Sequence, residues 1–111
     1  MARFENKMNI SSLEMRPTVK CICTIGQTLC TYEMHIHFVP TRIIPDYLEV
    51  DEFVRQMYGK EYTMEEAAAH VADYLFAEYA PVNVNVVLTC KDARHFPATV
   101  HVCRYEHAFS V

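Results

Sequence analysis

The sequence has no tryptophan, only two glycines among 111 residues, and no cluster of lysine or arginine. So few glycines indicate regular helices and strands with short connections rather than elaborate loops. A net charge of −4 without a basic run argues against a nucleic-acid partner, whose binding surface is normally a basic stripe. No apolar run approaches the length of a membrane span, and the first residues lack the pattern of a signal peptide.

The composition is that of an ordinary soluble chain, with 51% hydrophobic and 22% charged residues. This length predicts one domain with one core, over residues 18–105, between a lead-in at 1–17 and a tail at 106–111. Five cysteines are an odd number, and without a secretory signal we expect reduced thiols and a cytoplasmic location.

The strongest pattern is a helix from Thr63 to Tyr79. Thr63 followed by Glu66 predicts a capping box, which satisfies the free N–H groups at the helix start. Glu65, in the same first turn, is not needed for the cap. Its carboxylate could accept two hydrogen bonds from paired N–H groups of a ligand. One apolar stripe follows the helical period, with the residues Met64, Ala67, Ala68, Val71, Ala72, Leu75, Phe76 and Tyr79.

A shorter helix is predicted before it. Asp46 and Glu49 form a start signal, and Gly59 is typical of the residue just after a helix end. The apolar stripe of this helix consists of Tyr47, Val50, Phe53, Val54 and Met57.

Four segments have the composition of strands: residues 18–25, 28–39, 82–89 and 98–104, with Gly26 and Gln27 in the first turn. The second strand alternates strictly, so one set of side chains faces a core and the other faces away. The core-facing set is Tyr32, Met34, Ile36 and Phe38, and the outward set is Glu33, His35 and His37.

The order ββααββ predicts an α+β fold, with a four-stranded antiparallel sheet covered on one face by two helices. Its open edges favour homo-oligomers that close the sheet into a barrel. On the opposite face we expect Cys21, Cys23, His35 and His37, whose two-residue spacing is compatible with zinc. Because no Cys-x-x-Cys is present, we predict strand cysteines and surface histidines and no metal.

The segment that begins at Cys23 resembles a motif of the tunnelling-fold superfamily, in its branch of 7-cyano-7-deazaguanine reductase (QueF) and the QueF-like amidinotransferase of archaeosine synthesis. Members carry a Cys-Pro-x-Thr-Gly-Gln-Pro-Asp-like segment, then a strand ending in Tyr-x-Pro, then a His-Glu pair opening the second helix. The corresponding residues are Cys23-Thr24-Ile25-Gly26-Gln27-Thr28-Leu29-Cys30, His37-Phe38-Val39-Pro40 and Met64-Glu65.

This resemblance implies an enzyme of queuosine or archaeosine biosynthesis, which are tRNA modification pathways. In this family Cys23 corresponds to the nucleophile that forms a thioimide with the nitrile, and Glu65 to the glutamate that recognises the base. Two positions differ, because Cys30 replaces the acidic Asp and Met64 replaces the His. The reductase's nicotinamide-binding stretch is replaced by the acidic residues 46–52, so we expect an amidinotransferase-like enzyme without NADPH or another cofactor.

A second resemblance involves residues 63–68, which are similar to the substrate helix of dihydroneopterin aldolase. It implies a pterin substrate, with Tyr47 and Lys91 near that family's proton-transferring Tyr and Lys. A third interpretation is a non-catalytic oligomer that binds a purine- or pterin-like base. All three share a small-molecule base as the partner.

Overall fold

The computed structural model describes residues 4–91 and 96–106. Residues 92–95, in the connection between the last two predicted strands, lie outside them. The elements are β1 (Phe4–Glu5), β2 (Leu13–Met15), β3 (Thr18–Cys23), β4 (Leu29–Val39), β5 (Ile43–Ile44), α1 (Tyr47–Arg55), β6 (Glu61–Tyr62), α2 (Met64–Tyr79), β7 (Asn83–Cys90) and β8 (Ala98–Tyr105).

The main sheet has the strand order β6-β3-β4-β7-β8, and β2 pairs with β4 beside β3. The four predicted strands are β3, β4, β7 and β8, and they are antiparallel. The α+β prediction is confirmed, but the sheet gains two short strands and is mixed, because β6 runs parallel to β3. A separate ribbon joins β1 to β5.

One face of this sheet forms the core. The alternation predicted for β4 is confirmed, because its inward residues, Tyr32, Met34, Ile36 and Phe38, are at most 2% exposed. In β3 the core-facing residues are Val19 and Cys21, both fully buried. The expectation that Cys21 lies on the opposite face is therefore wrong, because the register pairs Cys21 with Cys30, on the β4 side that also carries Tyr32.

The same register separates the zinc candidates. The same expectation is wrong for Cys23, which lies two residues after Cys21 and therefore on the helix-covered face. His35 and His37 alternate with the buried residues of β4 and lie on the opposite face, as expected. In the described ranges, no three His, Cys, Asp or Glu side chains come close enough together to bind a metal ion.

The longer helix, α2, matches the prediction. Thr63 is its N-cap: the Glu66 N–H donates to Thr63 Oγ1 at 3.1 Å, and the Thr63 N–H donates to Glu66 Oε1 at 3.0 Å. Most of its predicted stripe is buried, and it packs on β7 and β8. No helix in the described part of the chain has the length and apolar character needed to cross a membrane.

The shorter helix, α1, begins as predicted, since Asp46 accepts hydrogen bonds from two backbone N–H groups. It ends at Arg55, earlier than expected, and Gly59 (φ +76°) follows a turn rather than the helix itself. Val50 and Val54 are buried, but Tyr47 is 60% exposed and does not join the core. It lies in the first turn and lines a surface cavity together with Glu14 and Arg16 of the β2 segment.

The capping box gives the first prediction. Thr63→Ala removes the side-chain acceptor for the Glu66 N–H, and we expect the free energy of unfolding to fall by about 1 kcal/mol. Urea denaturation measures it. The control is Ser12→Ala, at an exposed residue without regular structure, which should change stability by less than about 0.5 kcal/mol. Equal effects of the two substitutions would contradict a stabilising cap.

Candidate functional site

Cys23 is the last residue of β3, at the start of the turn that leads to β4. The turn closes when the Gln27 N–H donates to the Cys23 carbonyl oxygen at 2.7 Å, with Gln27 in the left-handed region at φ +54°. The Gly26 N–H also lies 3.4 Å from Cys23 Sγ. These contacts hold the sulfur at the end of the hairpin, as the predicted turn at Gly26 and Gln27 requires.

The start of α2 is brought to the same end of the sheet by β6. The Ile22 N–H donates to the Lys60 carbonyl oxygen at 2.8 Å, and Cys23 is the register partner of Tyr62. Because Tyr62 immediately precedes the N-cap of α2, this pairing brings the first turn of α2, which carries Glu65, to the end of β3.

Between these elements lies an open cavity of about 380 Å³, which we call the thiol cavity. The structure brings together all four site residues predicted from the resemblance, Cys23, Cys30, Met64 and Glu65. Most of its surface is apolar. Its lining consists of Cys23, Ile25, Gly26, Thr28, Cys30, Tyr32, Thr63, Met64, Glu65, Cys90 and Ala98.

The buried groups under the thiol cavity are held in their neutral forms. Burial, reinforced by the neighbouring Cys30 and Cys23 thiols, raises the pKa of Cys21 to about 11. Burial also raises the pKa of Tyr32, and its hydrogen bond with the Cys30 side chain raises it further. At neutral pH, Cys21 is therefore an unreactive thiol and Tyr32 a protonated phenol.

The two glutamates at the start of α2 have different surroundings. The Thr63 backbone N–H, followed by the Thr63 hydroxyl, lowers the pKa of Glu66, whose carboxylate is engaged in the capping box. Glu65 is exposed and contributes to the lining of the thiol cavity. Its carboxylate is therefore the charged acceptor available to a ligand there.

The residues of the pterin alternative lie elsewhere in this chain. Tyr47 lines a separate cavity with Glu14 and Arg16. Lys91 Nζ lies 3.2 Å from Glu33 Oε2, on the sheet face away from the helices. Neither residue lines the thiol cavity.

Sequence reasoning missed Tyr32 and Cys90 as site residues, because each has the apolar surroundings of a core position. Tyr32 is 2% exposed and Cys90 is 5% exposed, yet both line the thiol cavity. A signal for Tyr32 was available: it lies two residues after Cys30 in a strand, and therefore on the same face.

The strand order and the two helices give this chain the tunnelling fold that the sequence resemblance predicted. No protein-family model matches the chain, and no curated protein matches its sequence. The fold similarity is with solved structures of low sequence identity. An archaeosine synthase described as QueF-Like, in the apo form, is 20% identical with a TM-score of 0.74, over 86% of this chain and 92% of its own.

Two dihydroneopterin aldolases have the same fold. The Escherichia coli enzyme, solved in complex with neopterin, is 18% identical with a TM-score of 0.69, over 86% of this chain and 99% of its own. The enzyme from a Burkholderia species, solved with guanine bound, is 18% identical with a TM-score of 0.58, over 89% of this chain and 93% of its own.

Burial predicts a clear order of thiol reactivity. With iodoacetamide at pH 8 we expect Cys23 to be alkylated in the native protein and Cys21 only after denaturation, because Cys21 is fully buried and a pKa of about 11 leaves roughly one thiolate in a thousand. Trypsin should release residues 21–42 as one peptide, in which tandem mass spectrometry locates the label. Alkylation of Cys21 at the rate of Cys23 would contradict this arrangement.

Proposed function

We propose that this chain binds a planar purine- or pterin-like base of the 7-deazaguanine type in the thiol cavity, with Glu65 as the base anchor and Cys23 as the nucleophile. The observation that carries the proposal is that Cys23 and Glu65, 42 positions apart in the sequence, line one cavity. Its apolar lining suits a flat heterocycle. The fold similarity to an archaeosine synthase and to proteins solved with neopterin and guanine supports a ligand of this class.

Glu65 recognises the edge of the base. A guanine-like edge offers a ring N–H and an exocyclic amine side by side, and a carboxylate accepts both in a two-bond, charge-assisted contact. Glu65 lies in the first turn of α2 and in the lining of the thiol cavity. The capping box leaves this carboxylate available, because Glu66 supplies the carboxylate that caps the helix.

Cys23 attacks the nitrile of 7-cyano-7-deazaguanine. Its sulfur forms a bond to the nitrile carbon, one π bond of C≡N breaks, and the nitrogen takes up the proton that balances the one lost by the thiol. The product is a covalent thioimide, and no oxidant or reductant is needed. An amine or ammonia that replaces the sulfur would complete an amidinotransferase-like reaction and release Cys23.

The acidic residues expected to exclude a nicotinamide phosphate lie in and before α1. Asp46 caps the helix and Asp51 forms an ion pair with Arg55, with Nε and Oδ2 2.8 Å apart. A phosphate group near α1 would meet further carboxylates at Glu49 and Glu52. These charges support a reaction without NADPH.

Exposed apolar side chains near the thiol cavity favour contact with a second copy of the chain. Three large apolar side chains near the thiol cavity are exposed: Ile25 (88%), Leu29 (54%) and Phe96 (78%). Ile25 lines the cavity, and the other two lie within two residues of lining positions. Exposed apolar side chains of this size mark interaction surfaces. They support a homo-oligomer, and the five free thiols are in keeping with a reducing, cytoplasmic setting.

A dihydroneopterin-aldolase-like reaction is the second candidate, supported by the fold similarity to that family. Within one chain, Tyr47 and Lys91 lie outside the thiol cavity, so this reaction would need them from another copy. Release of glycolaldehyde from dihydroneopterin would favour it. Reversible binding of the base without any product would favour a non-catalytic binding protein.

Glu65→Ala tests base recognition. Loss of the two-bond contact should weaken binding of 7-cyano-7-deazaguanine by about 2 kcal/mol, or about 30-fold. Isothermal titration calorimetry with the Cys23→Ala protein as background measures reversible binding alone. Glu61→Ala, an exposed carboxylate nearby in β6, is the control and should leave the affinity within about twofold. Unchanged affinity in Glu65→Ala would remove the proposed anchor.

Covalent chemistry is tested by intact mass. The wild-type protein incubated with 7-cyano-7-deazaguanine should gain the full mass of the base, because the addition releases no leaving group. Cys23→Ala should lose this adduct, whereas Cys103→Ala, which removes an exposed thiol of β8, should retain it. An adduct that survives in Cys23→Ala would show that another thiol reacts.

A further inference from the structure

Among the described residues that line the thiol cavity, Glu65 is the one carboxylic acid, so none beside Cys23 is on hand to protonate the nitrogen of a thioimide. Cys30 stands where the resembling family has its Asp, and a thiol is a weaker hydrogen-bond donor than a carboxylic acid. Glu65 lies at the start of α2, where its carboxylate is the proposed partner of the base edge. The proton must therefore come from another group near the sulfur.

Tyr32 meets the geometric requirements. It follows Cys30 by two residues in β4, so both side chains project from the same sheet face, and both line the thiol cavity with Cys23. Burial raises the pKa of Tyr32 first, followed by the Cys30 side chain and then the Cys21 and Cys23 side chains, so these thiols lie near the phenol. The ring is 2% exposed, so packing restricts its orientation.

We propose that the Tyr32 hydroxyl is the general acid of this site, which donates its proton to the nitrile nitrogen as Cys23 adds to the carbon. This inference rests on the proposed function and adds a catalytic residue to it. Cys30 then returns a proton to the phenol oxygen. This role would account for a thiol at the position where the resembling family has an Asp.

The proton transfers balance. The Cys23 thiol gives its proton to solvent in the open cavity, and its sulfur bonds to carbon while one C≡N π bond breaks. Tyr32 protonates the nitrogen, Cys30 reprotonates Tyr32, and solvent reprotonates Cys30. Because burial and the hydrogen bond with Cys30 raise the pKa of Tyr32, the phenol carries its proton throughout the neutral range. The anionic nitrogen of an unprotonated thioimide is basic enough to take it.

Tyr32→Phe tests the proposal, since it keeps the ring and removes only the hydroxyl. The rate of adduct formation with 7-cyano-7-deazaguanine, followed by intact mass at pH 7.5, should fall by about 100-fold or more. Alkylation of Cys23 by iodoacetamide, which expels iodide and needs no proton donor, should stay within about threefold of wild type. The difference between these two reactions separates proton donation from a structural role.

Tyr79→Phe is the matched control. Its hydroxyl is also buried and donates to Glu49 Oε1 at 2.8 Å, but it lies outside the thiol cavity, so both rates should be unchanged. Cys30→Ser keeps a hydroxyl beside Tyr32, whereas Cys30→Ala removes the group that returns the proton. We therefore expect the serine variant to form the adduct faster than the alanine variant.

Three outcomes would overturn the proposal. Equal adduct rates in wild type and Tyr32→Phe would exclude the phenol while leaving the proposed function intact. Equal losses in adduct formation and alkylation, or alkylation of Cys21 in undenatured Tyr32→Phe protein, would assign Tyr32 a packing role, because Cys21 reacts only when the core opens. Absence of any adduct in wild-type protein whose Cys23 still reacts with iodoacetamide would overturn the proposed thioimide chemistry together with this inference.

Discussion

The arrangement of the site depends on a short parallel pairing between β3 and β6. Only Ile22 and Cys23 of β3 have register partners there, Glu61 and Tyr62. The pairing is continued by a hydrogen bond from the Thr24 N–H to the Tyr62 carbonyl oxygen at 3.3 Å. α2 begins immediately afterwards. Two backbone-paired residues therefore bring the Cys23 thiol and the Glu65 carboxylate to the lining of one cavity.

The two faces of the sheet have different roles because side chains alternate along each strand. The helix-covered face carries the core, and at one end of it the thiols and Tyr32 line the cavity. The opposite face is polar, with His35 Nε2 2.8 Å from Glu14 Oε1 and Lys91 paired with Glu33. These ion pairs are exposed, so each contributes little to stability. The folding energy therefore comes from the face that also forms the site.

The three thiols in and under the thiol cavity differ in how deeply they are buried. Cys21 is buried in the core and unreactive, Cys30 is half-buried and shares the cavity lining with Tyr32, and Cys23 ends its strand at the turn. Three cysteines within ten residues thus have three different environments. Glu65 completes the set from the helix, since the adjacent Glu66 is committed to the cap.

Sequence patterns alone predicted the periodic elements. The stripe of α2, the capping box at Thr63 and the alternation of β4 each depend on residues within a few positions, so they are visible without a structure. The family resemblance located Cys23, Cys30, Met64 and Glu65, and the structure brings them to one cavity. The short strand β6 was not predictable, because two residues carry no measurable period.

What only the tertiary structure decided is which positions share a surface. Period-two alternation sorts residues within one strand, but it does not say which face of β3 lies beside which face of β4, so Cys21 was assigned to the wrong side. Sequence patterns have the same limit for cavities. A tyrosine in the inward set of an alternating strand is predicted to be buried, and the pattern does not show whether it also borders a cavity, as Tyr32 does. Local sequence determines periodicity and caps, since these depend on neighbouring backbone groups. The register of strands and the lining of a cavity depend on pairing between residues far apart in the sequence. For that reason only the tertiary structure defines them.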